Sequence, residues 1–162
     1  MSFSGAPRSI SRADKLFREY GASHQNKVNK LIHWVCVPAI LVSVVGALEC
    51  LPFPVATPIS MSWGKLVAAL AMMFYINLSA SLSVGMFLVL FASFWIVSAA
   101  TVAGYTWKLY AVVFGIAWVF QFIGHSSLFE GKKPSFFKDL FFLLIGPAWL
   151  VHFIYKLLGI PY

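Results

Sequence analysis

The chain is predicted to be all-α, a polytopic membrane bundle of four to five spans whose last helix is broken and either crosses or turns back. Three observations predict it. Hydrophobic residues make up 60% of the 162 and charged residues only 10%, whereas soluble domains carry about 25% charge. The apolar runs approach or reach the roughly 20 residues that a helix needs to cross a bilayer. The charges that do occur gather mainly outside those runs, around Arg8 to Lys30 and Lys132 to Lys138, as cytoplasmic segments do. One integral membrane domain covers residues 1–162, with a cytoplasmic amphipathic segment over 1–30 and a helical bundle over 31–158.

The elements follow in order. Ser11 and Asp14 have the spacing of a capping box, with Asp in place of the usual Glu. Ala13, Leu16, Phe17 and Tyr20 then form one stripe of a short basic helix, expected to lie on the membrane surface and to end at Gly21. The first apolar run is 31–48, with a kink expected at Pro38. Pro52, Pro54 and Pro58 mark a loop on the far side. The stretch from 63 to 103 is too long for one span, so a turn is expected over Asn77 to Ser83. The fourth run covers 106–123, a polar loop runs from Gly124 to Ser135, and the last run covers 136–158. Four crossings from a cytoplasmic N-terminus return the chain to the cytoplasm at residue 124, where the second Lys cluster lies. The last run carries Gly146-Pro147 near its middle. A break there would turn it back, as broken helices do when they line a cavity, and bring His152 toward the other histidines.

Composition also excludes. A net charge of +7 without a basic surface domain does not suit nucleic acid; anionic lipid headgroups are the better partner. No cleavable leader is evident in the polar N-terminus. Cys36 and Cys50, about 21 Å apart on a straight helix, are read as free thiols. No Gly-rich phosphate loop, Cys-x-x-Cys or His-Glu-x-x-His occurs.

The chain has four histidines. His24 and His33 flank the start of the first run, His125 follows the fourth, and His152 lies past Gly146-Pro147. Histidine is the commonest metal ligand, and polar groups at membrane depth are costly, so a buried metal site is expected. Asn29 and His33 share a helical face. His24 joins them only if the chain bends between them or if it precedes the helix, and Gly21-Ala22-Ser23 permits the second; on a straight helix it would lie about 13 Å away. Asn29 could then orient an imidazole. Glu130 is a possible oxygen ligand beside the imidazoles. For His152 the plainer reading is a helix-packing hydrogen bond.

These residues resemble the Mpo1-like family. The resemblance rests on Tyr20 to His24, Asn29, His33 and Pro38, on Gln121 to Pro134 with its Gly-His and Glu-Gly-x-x-Pro, and on Gly146-Pro147. It implies an iron(II)-dependent dioxygenase that shortens 2-hydroxy fatty acids by one carbon with release of CO2. It further implies Fe2+ held by His24, His33, His125 and His152, with Asn29, Glu130, Tyr20 and Gln121 as supporting residues. Lys27, Lys132 or Lys133 would steer the substrate carboxylate, and O2 would be the second substrate. The membrane would be the endoplasmic reticulum of a eukaryote or the inner membrane of a bacterium; a homo-oligomer is compatible with the sequence. The competing reading is a non-enzymatic lipid carrier or scaffold on the same spans. A di-iron desaturase or hydroxylase would need more histidines, in close pairs.

Overall fold

A computed structural model describes residues 10–54, 60–129 and 136–162, with side chains from residue 143 in the last segment. Among the described residues every regular element is a helix: α1 Arg12–Gly21, α2 Lys27–Glu49, α3 Trp63–Leu78, α4 Ala80–Val102, α5 Trp107–Gly124 and α6 Phe136–Leu158. The five apolar runs thus appear as α2 to α6. Of these, α2, α4 and α5 are long and apolar enough to cross a membrane, and α3 is apolar but shorter, with 16 residues.

α1 begins where its capping residues place it. The Ser11 hydroxyl accepts the Asp14 N–H at 3.0 Å and donates to the Asp14 carboxylate at 2.8 Å. That second bond holds the Asp14 carboxyl below its ordinary range. Ala13, Phe17 and Tyr20 are buried as the stripe predicts, but protein rather than lipid covers them. The Phe17 ring lies 4.8 Å from His152 and the Tyr20 ring 5.2 Å from Trp149, both on α6. An apolar stripe says that one face avoids water, not what shields it. The C-terminal Tyr162 donates its hydroxyl to Asp14 at 3.2 Å. Burial, then the Asp14 charge, pushes Tyr162 up to about 12, so the phenol keeps its proton and remains the donor.

α2 and α5 run antiparallel, and a glycine sits at each end of their seam. Gly124 at the end of α5 lies against Asn29 at the start of α2, and Gly46 near the end of α2 lies against the ring of Tyr110. A Cβ at either glycine would overlap its neighbour. Between them Cys36, Ile40 and Ala117 form a buried cluster.

The turn expected over Asn77 to Ser83 is a single residue. Ser79, at φ −167° and ψ 130°, ends α3 and caps α4, its hydroxyl accepting the Leu82 N–H at 3.3 Å. Asn77 stays helical, its side chain donating to the Met73 carbonyl at 2.7 Å. One extended residue with a capping hydroxyl is enough to end one helix and begin the next.

α6 corrects the expected break at Gly146-Pro147. The helix continues from Phe136 to Leu158 with Pro147 inside it. An interior proline removes one N–H bond and crowds the preceding turn, which bends a helix without having to end it. Gly146 serves a different need: a Cβ there would come 3.1 Å from the Tyr20 hydroxyl. Residues 145–152 are all buried, so this stretch is enclosed on every side, as a helix apolar all round should be. The Tyr75 hydroxyl donates to the Leu144 carbonyl at 2.7 Å and the Tyr155 hydroxyl to the Ser81 carbonyl at 2.8 Å, fixing α6 to α3 and α4. The chain end therefore packs beside α1 without any break in the helix.

Candidate metal centre

His24 precedes α2, on the connector that follows Gly21. Its backbone N–H donates to the Gly21 carbonyl at 3.0 Å, and Asn26 caps α2 by accepting the Val28 N–H at 2.8 Å. The bend carries His24 back over the first turns of α2, where His33 is buried. His125 is the C-cap of α5, and the Gly124–Asn29 approach brings it to the same place. Among the described residues these three histidines form one group whose ligand atoms all lie within 4.8 Å of one another.

Hydrogen bonding determines what the first two rings present. His24 Nδ1 lies 2.6 Å from the Tyr20 carbonyl and His33 Nδ1 2.9 Å from the Asn29 carbonyl. A carbonyl only accepts, so each Nδ1 carries the proton and donates it. In the neutral rings both Nε2 atoms are then bare lone pairs, and they face each other at 2.9 Å. Two acceptors at that distance repel unless positive charge lies between them. A shared proton meets that need for the pair; a metal ion meets it for all three imidazoles at once. Carbonyls that hold the far nitrogens of ligating histidines are the usual orienting groups of metal sites. A donor set of imidazoles suits iron, zinc, copper or nickel and not the oxygen-seeking cations.

Aromatic rings wall the group. Tyr20 stacks on His24 with centroids 4.1 Å apart and 14° between planes, and Trp149 lies 5.5 Å from His24. Trp149 was not singled out from the sequence, although it stands three residues before His152 in the Gly-Pro-Ala-Trp segment. The histidines lie at the head of a cavity of about 710 Å³. Tyr20 and Gln121 line it, and Gln121 sits one turn before His125 on α5.

The other predicted residues fall differently. Asn29 is fully buried, and the group that orients His33 is its backbone carbonyl. Lys27 is exposed at the start of α2 and is not part of the cavity wall. Glu130, Lys132 and Lys133 lie outside the described residues. His152 is not in the group of three. Its ring packs against Phe17, Phe153 and Tyr162, and its buried Nδ1 has no hydrogen-bond partner among the described residues.

A family described as 2-hydroxy-palmitic acid dioxygenase Mpo1-like matches residues 10–158. The 2-hydroxy-palmitic acid dioxygenase MPO1 of Saccharomyces cerevisiae is 31% identical over 146 residues, 88% of this chain and 79% of the yeast protein. No solved structure matches the chain. With all but the ends of the sequence matched, and a relative 31% identical over most of the chain, the chain belongs to the Mpo1-like family.

Proposed function

We propose that the protein is an iron(II)-dependent dioxygenase that converts a 2-hydroxy fatty acid to the acid one carbon shorter. The observation that carries this reading is the paired Nε2 atoms at 2.9 Å, joined by His125, at the head of a largely apolar cavity. The yeast relative's named substrate supports the choice of acid. The overall reaction is balanced: the acid and dioxygen give the shortened acid, carbon dioxide and water. C1 leaves as carbon dioxide and C2 becomes the new carboxyl carbon.

Iron(II) held by His24, His33 and His125 would supply the redox chemistry between dioxygen and the acid. The rest is the work of the chain. The Tyr20 and Asn29 carbonyls hold the Nδ1–H of two imidazoles and so fix the tautomer that aims Nε2 inward. Gln121 offers amide donors to the acid's carboxylate or 2-hydroxyl. Lys27, with Lys132 and Lys133, draws the anion toward the membrane face. The apolar wall takes the acyl chain and keeps water out.

His152 is assigned to the packing of α1 on α6. His152→Phe should keep the full iron content, read by elemental analysis of purified protein, and should not lower the melting temperature. It removes a buried nitrogen whose lack of a partner costs about 1–3 kcal/mol. A loss of iron as complete as that of a His33 variant would return His152 to the ligand set.

The reaction is tested by product analysis in detergent. Iron(II), air and 2-hydroxypalmitate should yield pentadecanoic acid by mass spectrometry from the natural protein and none from His125→Ala. Absence of that product from folded, iron-loaded protein would overturn the reading. Absence of metal binding as well would favour the lipid carrier, for which the cavity alone suffices.

A further inference from the structure

The cavity continues well past the histidines. From His33 its wall follows α2 through Val37, Ile40, Val44 and Leu48, a spacing that keeps to one helical face. Fifteen residues of helix carry that face about 22 Å, longer than the roughly 15 Å of one acyl leaflet in a bilayer. Opposite it α3 lines the cavity with Gly64, Val67, Ala68, Ala71 and Tyr75, of which Gly64, Ala68 and Ala71 are too small to fill the space. The direction of α3 is set at both ends. Gly64 meets Glu49 at the far end of α2, and Tyr75 bonds to Leu144 near Gly146, which faces Tyr20. α3 therefore runs back toward the imidazoles. At the far corner the Ser62 hydroxyl donates to the Glu49 carboxylate, and a Cβ on Gly64 would overlap that carboxylate. The cavity thus has a polar head with three imidazoles and an apolar path along α2 and α3. A tied α2–α3 corner stands at its other end.

We propose that α3 is the ruler of this site: Ala68 and Ala71 set the length of acyl chain it accepts, with the methyl end lying toward the Leu48–Gly64 corner. The inference rests on the 2-hydroxy acid reading and adds to it the residues that select among acids. Ala71 is three residues nearer the histidines than Ala68, about 4.5 Å, or roughly three to four carbons of an extended zigzag chain. A bulky side chain at either position blocks the path, and the block at Ala71 comes earlier.

The test compares Ala68→Leu, Ala71→Leu and the outward control Ala69→Leu, which lies on the exposed face of α3. Iron-loaded protein is assayed for kcat/KM on 2-hydroxylauric, 2-hydroxymyristic, 2-hydroxypalmitic and 2-hydroxystearic acids. Binding of the same acids without oxygen is measured by competition with a fluorescent fatty acid. Single methylenes in apolar pockets discriminate by about 10–200-fold. The longest acids should therefore lose at least about tenfold in both readouts, while the shortest is unaffected. The optimum should move further for Ala71→Leu than for Ala68→Leu, and not at all for the control. Ala68→Val, a smaller intrusion, carries the test if a leucine variant does not accumulate. An unchanged length profile, or an equal loss on every acid, overturns the ruler. A length-dependent shift in binding with no turnover by any protein keeps the ruler and overturns the reaction.

Discussion

Replacing His33 with alanine should abolish iron retention and turnover together while leaving the bundle folded. The imidazole is 2% exposed, and its orientation is set by the carbonyl of its own helix one turn earlier. Among the described residues the group has three members, and α2 places this one 2.9 Å from His24. Its loss should exceed the roughly 10–100-fold that removing a mere orienting partner costs in metal affinity. The effect on stability distinguishes a ligand from a packing residue. In metal-free protein the mutation removes a close contact between two lone pairs, which partly offsets the lost packing, so the melting temperature should change little. Iron(II) at a hundred times its dissociation constant should stabilise the natural protein by about 2.7 kcal/mol and leave His33→Ala unmoved. Elemental analysis and melting curves with and without iron(II) read both effects. A His33→Ala protein that still binds iron and still melts higher with it would remove His33 from the site.

Much of this arrangement was legible in the sequence because it depends on short-range chemistry. Apolar runs locate α2 to α6, and Ser11 with Asp14 locates the start of α1. The break after Gly21 lets His24 precede α2, which is how it comes to face His33. Other features depend on which apolar surface meets which, and a single sequence does not encode that locally. The stripe of Phe17 and Tyr20 suits lipid as well as it suits α6. A Gly-Pro pair reads as a break until Tyr20 is seen to need the space at Gly146. His152 looks equivalent to the other histidines because one residue type serves ligation and packing alike. Its place between Phe17 and Tyr162 follows from the docking of α1 and of the C-terminal tail. The length of the cavity was hidden for a related reason: Gly64, Ala68 and Ala71 are informative only as the side of α3 that fails to fill it.

Gly124→Ala should silence the site without altering a histidine. Alanine is the better helix former by up to about 1 kcal/mol, so on α5 alone the change would stabilise. The comparison position is Gly115 on the same helix, where a Cβ meets nothing within 4 Å. Gly115→Ala should accordingly be neutral or slightly stabilising. At Gly124 the new methyl would overlap the side chain of Asn29, which is fully buried. Overpacking of this kind costs about 1–3 kcal/mol, and a shift of either backbone to relieve it reaches the imidazoles. If α5 moves away, His125, the next residue, leaves the other two. If the backbone at Asn29 moves, it carries the carbonyl that holds His33 Nδ1. Iron affinity should fall by roughly 10–100-fold, as when the support of a ligand is lost, and turnover should fall with it. The two alanine variants should therefore differ in the sign of their stability change as well as in metal binding. Equal iron affinity for both would mean that the approach of α5 to α2 at Asn29 does not hold His125 in place, and the three-histidine site would need another support.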